Sequence, residues 1–230
     1  MSSSRLASMP AGIPKCMGII LDGNRRWAKT RGMRSFEGHA EGLQNLTRAV
    51  RWVKARGIPH LVVYAFSSEN WKREASEVEY LMKLSERAVQ EHFSALGKEG
   101  VRIKCIGDRS RLPEALQKSC LQIEEVTQHH TTFTLWVCLS YGGRDEIIHA
   151  IHQGGVTDEA SLRARMWSCG MPDPDIIIRT GGERRLSNFL LFQAAYSELF
   201  FMPTLWPDFS EADLDAVLGE YALRERRMGT

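Results

Sequence analysis

Met17-Gly18-Ile19-Ile20-Leu21-Asp22-Gly23-Asn24-Arg25-Arg26-Trp27 is the stretch on which the reading of this chain turns. Its first five residues form an apolar run of strand length. The run ends in a carboxylate, a glycine, an amide, two guanidiniums and an indole. A diphosphate held with Mg²⁺ needs that collection. A carboxylate oxygen suits a hard cation, a glycine lets the backbone approach phosphate, and arginine forks match phosphate oxygens. In open α/β sheets, ligands bind beyond the carboxyl ends of the strands, where these residues fall. Taken alone, the hexapeptide from Asp22 to Trp27 also reads as a polar strand-to-helix turn with two solvated arginines.

The same alternation continues outward. Residues 61–66, 101–106, 133–139, 175–178 and 199–201 read as further strands, rich in Val, Ile and aromatic residues. Residues 29–38 read as a basic turn, and 39–56 as a helix with Leu43, Leu46, Val50 and Val53 on one stripe. Ser76 with Glu79 predicts a capping box opening a long helix that carries Val78, Leu81, Met82, Val89 and Phe93. Pro113 predicts the first turn of the next helix. Ile147, Ile148 and Ile151 mark another, Leu162 and Met166 a short one, and Ser210 the cap of the last. Strands alternating with helices predict one α/β domain, a central, mostly parallel six-stranded sheet covered by helices. Residues 1–13 are expected to be a flexible N-terminus and 14–230 the domain.

Composition excludes several classes. The 230 residues are 43% hydrophobic and 25% charged with net charge +2, an ordinary globular balance. That charge is too even to argue for nucleic acid. The five cysteines contain no Cys-x-x-Cys pair, which favours a reducing, cytoplasmic location and gives no zinc site. No run approaches the ~18 apolar residues of a membrane span. The chain has no Gly-x-x-x-x-Gly-Lys-Ser/Thr loop, no Gly-x-Gly-x-x-Gly after the first strand and no Gly-x-Ser-x-Gly elbow.

Four apolar strands end in clusters of one chemical type: Asp22 to Trp27, Ser67 to Arg73, Gly142 to Arg144, and Arg179 to Ser187. Parallel strands bring such ends together. The expected convergent set is Arg25, Arg26, Arg73, Arg179 and Arg185, with Asp22, Glu69 and Glu198. So many cations around few carboxylates suit two diphosphates and one Mg²⁺.

These residues resemble a known family, the cis-prenyltransferases of undecaprenyl diphosphate synthase type. The matching blocks are Asp22 to Trp27, Gly38-His39-x-x-Gly42, Tyr64-Ala65-Phe66-Ser67-Ser68-Glu69-Asn70-Trp71 and Tyr141-Gly142-Gly143-Arg144. They continue with Arg179-Thr180-Gly181-Gly182-Glu183, Arg185-Leu186-Ser187-Asn188-Phe189-Leu190, Glu198, Leu205-Trp206-Pro207-Asp208-Phe209 and Arg227-Met228-Gly229. The resemblance runs from about Pro14 to Gly229. It implies condensation of isopentenyl diphosphate onto an allylic diphosphate such as farnesyl diphosphate, each step creating a Z double bond, to a long-chain polyprenyl diphosphate such as undecaprenyl diphosphate. A short-chain Z-prenyl diphosphate synthase and a non-catalytic partner subunit are the alternatives. Asp22 is implied to place Mg²⁺, with Glu198 as a supporting metal carboxylate. Gly23, Asn24, Arg25 and Arg26 are implied to cradle the allylic diphosphate, with His39 and Arg73 nearby. Arg179, Arg185 and Ser187 match the isopentenyl diphosphate site, and Ser67 and Asn70 match residues tied to proton removal. Trp27, Glu69 and Trp71 fall in the same motifs and join the substrate-binding set. The tail ending at Gly229 is implied to reach a partner's site in a homodimer. An apolar tunnel for the prenyl chain, lined by the helix from Val78 and the strand at 133–139, and a peripheral membrane contact for product release complete the expectation. Three departures stand out: Arg34 is one residue further from His39 than the family pattern has it, Arg184 replaces a frequent His, and Ser140 replaces the usual Asn before Tyr141.

Overall fold

All six strands of the central sheet run parallel, in the order β3-β4-β2-β1-β5-β6. They are β1 (Cys16–Ile20), β2 (His60–Ser67), β3 (Arg102–Ile106), β4 (Thr134–Tyr141), β5 (Ile176–Arg179) and β6 (Glu198–Phe201). The computed structural model describes residues 12–224. Every residue of β1, β4 and β5 is buried, as expected for parallel strands covered on both faces. Period-two alternation along β2 sends Leu61 and Val63 into a large apolar layer and Val62 and Tyr64 into a smaller one. The large layer packs α2 (Ser35–Ala55), α3 (Ala75–Arg87), α5 (Glu114–Thr127) and α8 (Glu211–Leu223) through Val50, Leu81, Leu116 and Leu214. The smaller gathers Trp136, Tyr141, Met171 and Phe189. The remaining helices are α1 (Asn24–Thr30), α4 (Ser94–Lys98), α6 (Gly143–His152) and α7 (Glu159–Arg163). A π-helical turn, Ala88–Phe93, joins α3 to α4.

Three local expectations are corrected. Residues 29–38 are not one turn: α1 runs to Thr30 and α2 begins at Ser35. The N-cap of α2 is Arg34 rather than Ser or Asp, and its backbone N–H donates to the Glu37 carboxylate at 2.8 Å. Ser76 does not cap α3. Glu74 holds the N-cap position, Ser76 lies within the first turn, and Glu79 pairs with Lys83 at 2.6 Å. Pro113 takes the N-cap position of α5 rather than the first turn. The Ser210 cap is as expected, with its hydroxyl accepting from Asp213 N at 3.2 Å.

Two features of the sheet position the site. From β1 the chain steps to β2 on one side, and after β4 it returns to place β5 on the other. The strand order therefore switches between β1 and β5, where open α/β sheets bind ligands. The β2–β4 pairing is also irregular, running Tyr64 to Cys138, Phe66 to Leu139 and Ser67 to Tyr141. Ala65 and Ser140 are left out of register, and such a bulge re-aims side chains. Ser140 adopts a left-handed φ of 51°, a region uncommon for non-glycine residues and enriched in Asn.

Candidate active site

Asp22 leaves β1 at the switch point, and the buried Arg179 closes β5 beside it. Asp22 Oδ2 accepts from Arg179 at 2.8 Å and Oδ1 from Arg26 at 3.1 Å. Its carbonyl accepts from Thr180 Oγ1 at 2.7 Å and Trp206 N at 3.0 Å, so the backbone is fixed from the end of β5 and from one further segment. Gly23 follows with φ 117°, and a Cβ there would meet the Leu205 backbone at 2.9 Å. Arg179 also donates to Ser187 Oγ at 2.7 Å and to the Arg185 carbonyl at 2.5 Å.

Two basic clefts meet at this carboxylate. One, of about 890 Å³, is lined by Asp22, Ser67, Glu69, Asn70, Arg73, Arg144, Arg179, Arg185 and Ser187. The other, of about 820 Å³, is lined by Asp22, Gly23, Asn24, Arg25, Arg26, His39 and Arg73. The strand ends thus converge, with Arg25, Arg26, Arg73, Arg144, Arg179 and Arg185 lining the clefts around Asp22 and Glu69. Asn70 Oδ1 accepts from the Ser67 backbone N–H at 3.1 Å, pinning the two residues to each other at the start of the 3₁₀ turn Ser68–Lys72. Burial pushes the Glu69 carboxyl up, but hydrogen bonds from Asn188, its own backbone, Ser67 and Ser68 outweigh it and hold the group below its usual range.

One residue of the site escapes the sequence reading. Glu77, in the first turn of α3, accepts from Arg73 at 2.9 Å and lies 3.7 Å from both Arg25 and His39. The Arg73 to Glu77 spacing of four residues is the signal that was available. Burial, then the Arg73 charge, pushes the His39 imidazole down to about 4. His39 is therefore neutral at physiological pH, and its buried Nε2 has no hydrogen-bond partner among the described residues.

An apolar cavity of about 80 Å³ adjoins the second cleft; Leu21, Asn24 and His39 line both. Its walls are Leu43, Leu46, Ala65, Leu84, Ala88, Val89, Phe93, Val137, Leu139 and Trp206. The π-helical turn and β4 both contribute, and the bulge turns Ala65 into the cavity. Gly38 and Gly42, one turn apart on α2, let α1 approach: a Cβ on Gly38 would meet Asn24 O at 2.1 Å and one on Gly42 would meet Asn24 Oδ1 at 2.3 Å. The Gly38-His39-x-x-Gly42 block is thus a packing groove for the Asp22 turn.

Three sequence-predicted residues lie elsewhere. Trp27 faces away from both clefts, its Nε1 donating to Asp208 at 2.7 Å under the Arg31 guanidinium. Trp71 points behind its loop, donating to Ser140 Oγ at 2.9 Å and packing on Phe66 and Arg111. Glu198 does not join Asp22. Its strand partner is Ile176, whereas Arg179 pairs with Phe201, so Glu198 sits at the opposite end of the sheet, paired with Arg224. Gly229 lies outside the described residues. Arg34 stands at the rim of the second cleft, its side chain 80% exposed.

Among the described residues no three His, Cys, Asp or Glu side chains cluster as a metal site. Asp22 stands where the two clefts meet, and Glu69 is the other carboxylate lining the first. That donor set fits Mg²⁺, which commonly uses one or two carboxylates with substrate phosphates and waters.

A family described as "Putative undecaprenyl diphosphate synthase" matches residues 20–229. The isoprenyl transferase of Helicobacter hepaticus is 41% identical, over 96% of this chain and 99% of its own. That of Thermotoga maritima is 42% identical, over 94% and 97%. Among solved structures, lavandulyl diphosphate synthase from Lavandula x intermedia, in complex with dimethylallyl diphosphate, superposes with a TM-score of 0.90 at 34% identity, over 95% of this chain and 99% of that one.

Proposed function

The chain belongs to the undecaprenyl diphosphate synthase family of prenyltransferases and elongates cis-prenyl chains, and on that premise we propose how its two clefts divide the work. The carrying observation is that both clefts share Asp22 and Arg73 while one of them adjoins an apolar cavity. The cleft beside the cavity takes the allylic diphosphate, farnesyl diphosphate being the proposed primer. Gly23, Asn24, Arg25, Arg26, Arg73 and His39 surround its phosphates, and the hydrocarbon enters the cavity past Ala65. The other cleft takes isopentenyl diphosphate on Arg179, Arg185 and Ser187. Asp22 is the residue that would hold Mg²⁺ beside a diphosphate, where the ion would supply charge neutralisation for the leaving oxygens.

Fixed guanidiniums stabilise the same charge without reorganising. The new carbon–carbon bond forms between the clefts as the diphosphate leaves with the bonding electron pair. The proton lost from the isopentenyl carbon beside Ser67 and Asn70, which Glu69 flanks, passes to the departing diphosphate, the base that the step itself supplies. A small Ala65 at the cavity entrance supports a long product. A Mg²⁺-dependent, cytoplasmic homodimer with a peripheral membrane contact for product release belongs to the same reading; among the described residues no helix is long and apolar enough to cross a membrane.

Incubation with labelled isopentenyl diphosphate, Mg²⁺ and a series of allylic primers, followed by product sizing, tests it. The expected result is Mg²⁺-dependent long Z-chains from farnesyl diphosphate. Arrest after one or two additions would replace the long-chain reading with the short-chain one.

A further inference from the structure

We propose that Asn188 is a positioning residue that couples the segment carrying Arg185 and Ser187 to the segment carrying Ser67, Glu69 and Asn70. What the two segments bind rests on the function proposed above; the coupling itself does not.

Asn188 ties two other parts of the chain to its own loop through its side-chain amide and its carbonyl. Its Oδ1 accepts from the Arg144 backbone N–H at 2.9 Å and its Nδ2 donates to Glu69 Oε1 at 2.8 Å. Its carbonyl accepts from Gly143 N at 2.7 Å. The loop after β5, the N-terminus of α6 and the 3₁₀ turn 68–72 therefore meet at one amide. A second bond ties two of these elements, from Ser68 Oγ to Asp145 Oδ2 at 2.6 Å. The contact is close: a Cβ on Gly142 would stand 2.5 Å from Asn188 Nδ2.

The backbone restricts what can stand here. Asn188 has φ 67° and Ser187 before it φ 50°, two left-handed residues in succession. Asn is enriched among non-glycine residues in that region, and it presents a donor and an acceptor. Asp tolerates the same backbone but turns a carboxylate toward Glu69. Gly tolerates it and offers neither bond. Ser187 is in turn held by Arg179 at 2.7 Å, so a displacement of residue 188 reaches the Arg179 cluster through its neighbour. At its other end the amide aims Glu69 into the cleft beside Asn70.

The test uses Asn188→Asp, Asn188→Gly, Glu69→Gln and the double variant Asn188→Asp/Glu69→Gln. In the double variant the Gln amide donates to the Asp carboxylate and restores the bond with its polarity reversed. The first readout needs no substrate: amide hydrogen exchange of residues 67–73 in the full chain. Protection there should fall in N188D and N188G and return in the double variant. The second is steady-state kinetics. N188D should lower kcat/KM for isopentenyl diphosphate by about 10- to 100-fold, the range for losing a hydrogen bond to a charged group. The primer KM should change little, and the double variant should lose less than the product of the two single losses. Unchanged exchange in N188D and N188G, or single losses that simply multiply, would overturn the coupling. If the wild-type chain proves not to use isopentenyl diphosphate, the functional reading fails while the exchange experiment still decides the coupling.

Discussion

Gly38→Ala and Gly219→Ala are the same substitution in two helices, and the structure assigns them opposite signs. Gly219 lies within α8 with nothing within 4 Å of the position of an added Cβ. There alanine should stabilise by about 0.5–1 kcal/mol through helix propensity and a less free unfolded chain. Gly38 has the same propensity to gain, but its Cβ would stand 2.1 Å from the Asn24 carbonyl oxygen, where ordinary contact begins at 3.4 Å. The obstacle is backbone, so either α2 or the Asp22 turn must retreat by roughly 1 Å, an overpacking strain worth about 1–3 kcal/mol. Strain at its midpoint exceeds the propensity gain by about 1 kcal/mol, for a net destabilisation of up to about 2.5 kcal/mol. At about 2–4 °C per kcal/mol for a chain of this size, thermal melts should place G219A above and G38A below the wild type. The second consequence is kinetic. Retreat of Asn24 opens the allylic cleft, and a misplacement of about 1 Å can cost on the order of 100-fold in rate. The expected signature is a raised KM for the allylic primer with the isopentenyl diphosphate KM nearly unchanged. A G38A chain that melts at or above the wild type and keeps its primer KM would refute the packing groove.

Further outcomes follow from burial and charge. His39 has its pKa lowered from 6.5 to about 4, first by burial and then by Arg73. The unfolded chain therefore binds the extra proton first, and stability falls as pH drops from 6.5 toward 4, by roughly 3 kcal/mol at most. His39→Asn should flatten that part of a stability–pH curve measured by denaturant titration; an unchanged slope would mean that His39 titrates normally. Arg185 has a 59% exposed side chain and Arg179 a 6% exposed one. Arg185→Ala should raise the isopentenyl diphosphate KM about 10- to 100-fold with little change in melting. Arg179→Ala should also cost about 3 kcal/mol of stability, because it strips Asp22 of its buried partner; a melting point equal to wild type would count against this division. Ala65→Leu should crowd the cavity entrance and shorten products while the first condensation survives; products of unchanged length would place the limiting wall deeper.

Much of the fold is legible in the sequence because parallel strands buried on both faces announce themselves as uninterrupted apolar runs. Met17 to Leu21 and 133–139 need no partner to be recognised, and the polar clusters that follow them mark one edge of the sheet. The shorter helical features are less legible. The N-cap of α2 is Arg34, satisfied through its backbone by the Glu37 carboxylate, and arginine is not a residue type that marks a helix start. Ser76 and Glu79 have the capping spacing, yet α3 begins at Ala75, two residues before the start that a Ser76 cap would give, and Glu79 finds Lys83 one turn on. Spacing alone does not choose among overlapping local solutions; the packed helix does.

The site divides along the same line. Charges aimed at solvent-facing strand ends converge whatever their rotamers, which is why Asp22, Arg73, Arg179 and Arg185 fall together. Indoles do not behave that way. Trp27 and Trp71 are fixed by Asp208 and Ser140, partners remote in sequence, and both turn from the clefts. Glu198 is the instructive case, because its misplacement was written in the chain. Each cluster that reaches the site follows its strand, while Glu198 opens β6. In an all-parallel sheet a residue that opens a strand lies at the end opposite one that closes it. A strand of four residues at about 3.3 Å per step already separates the two by roughly 10 Å. A carboxylate before an apolar run and one after it are chemically alike, but strand polarity gives only the second to the ligand.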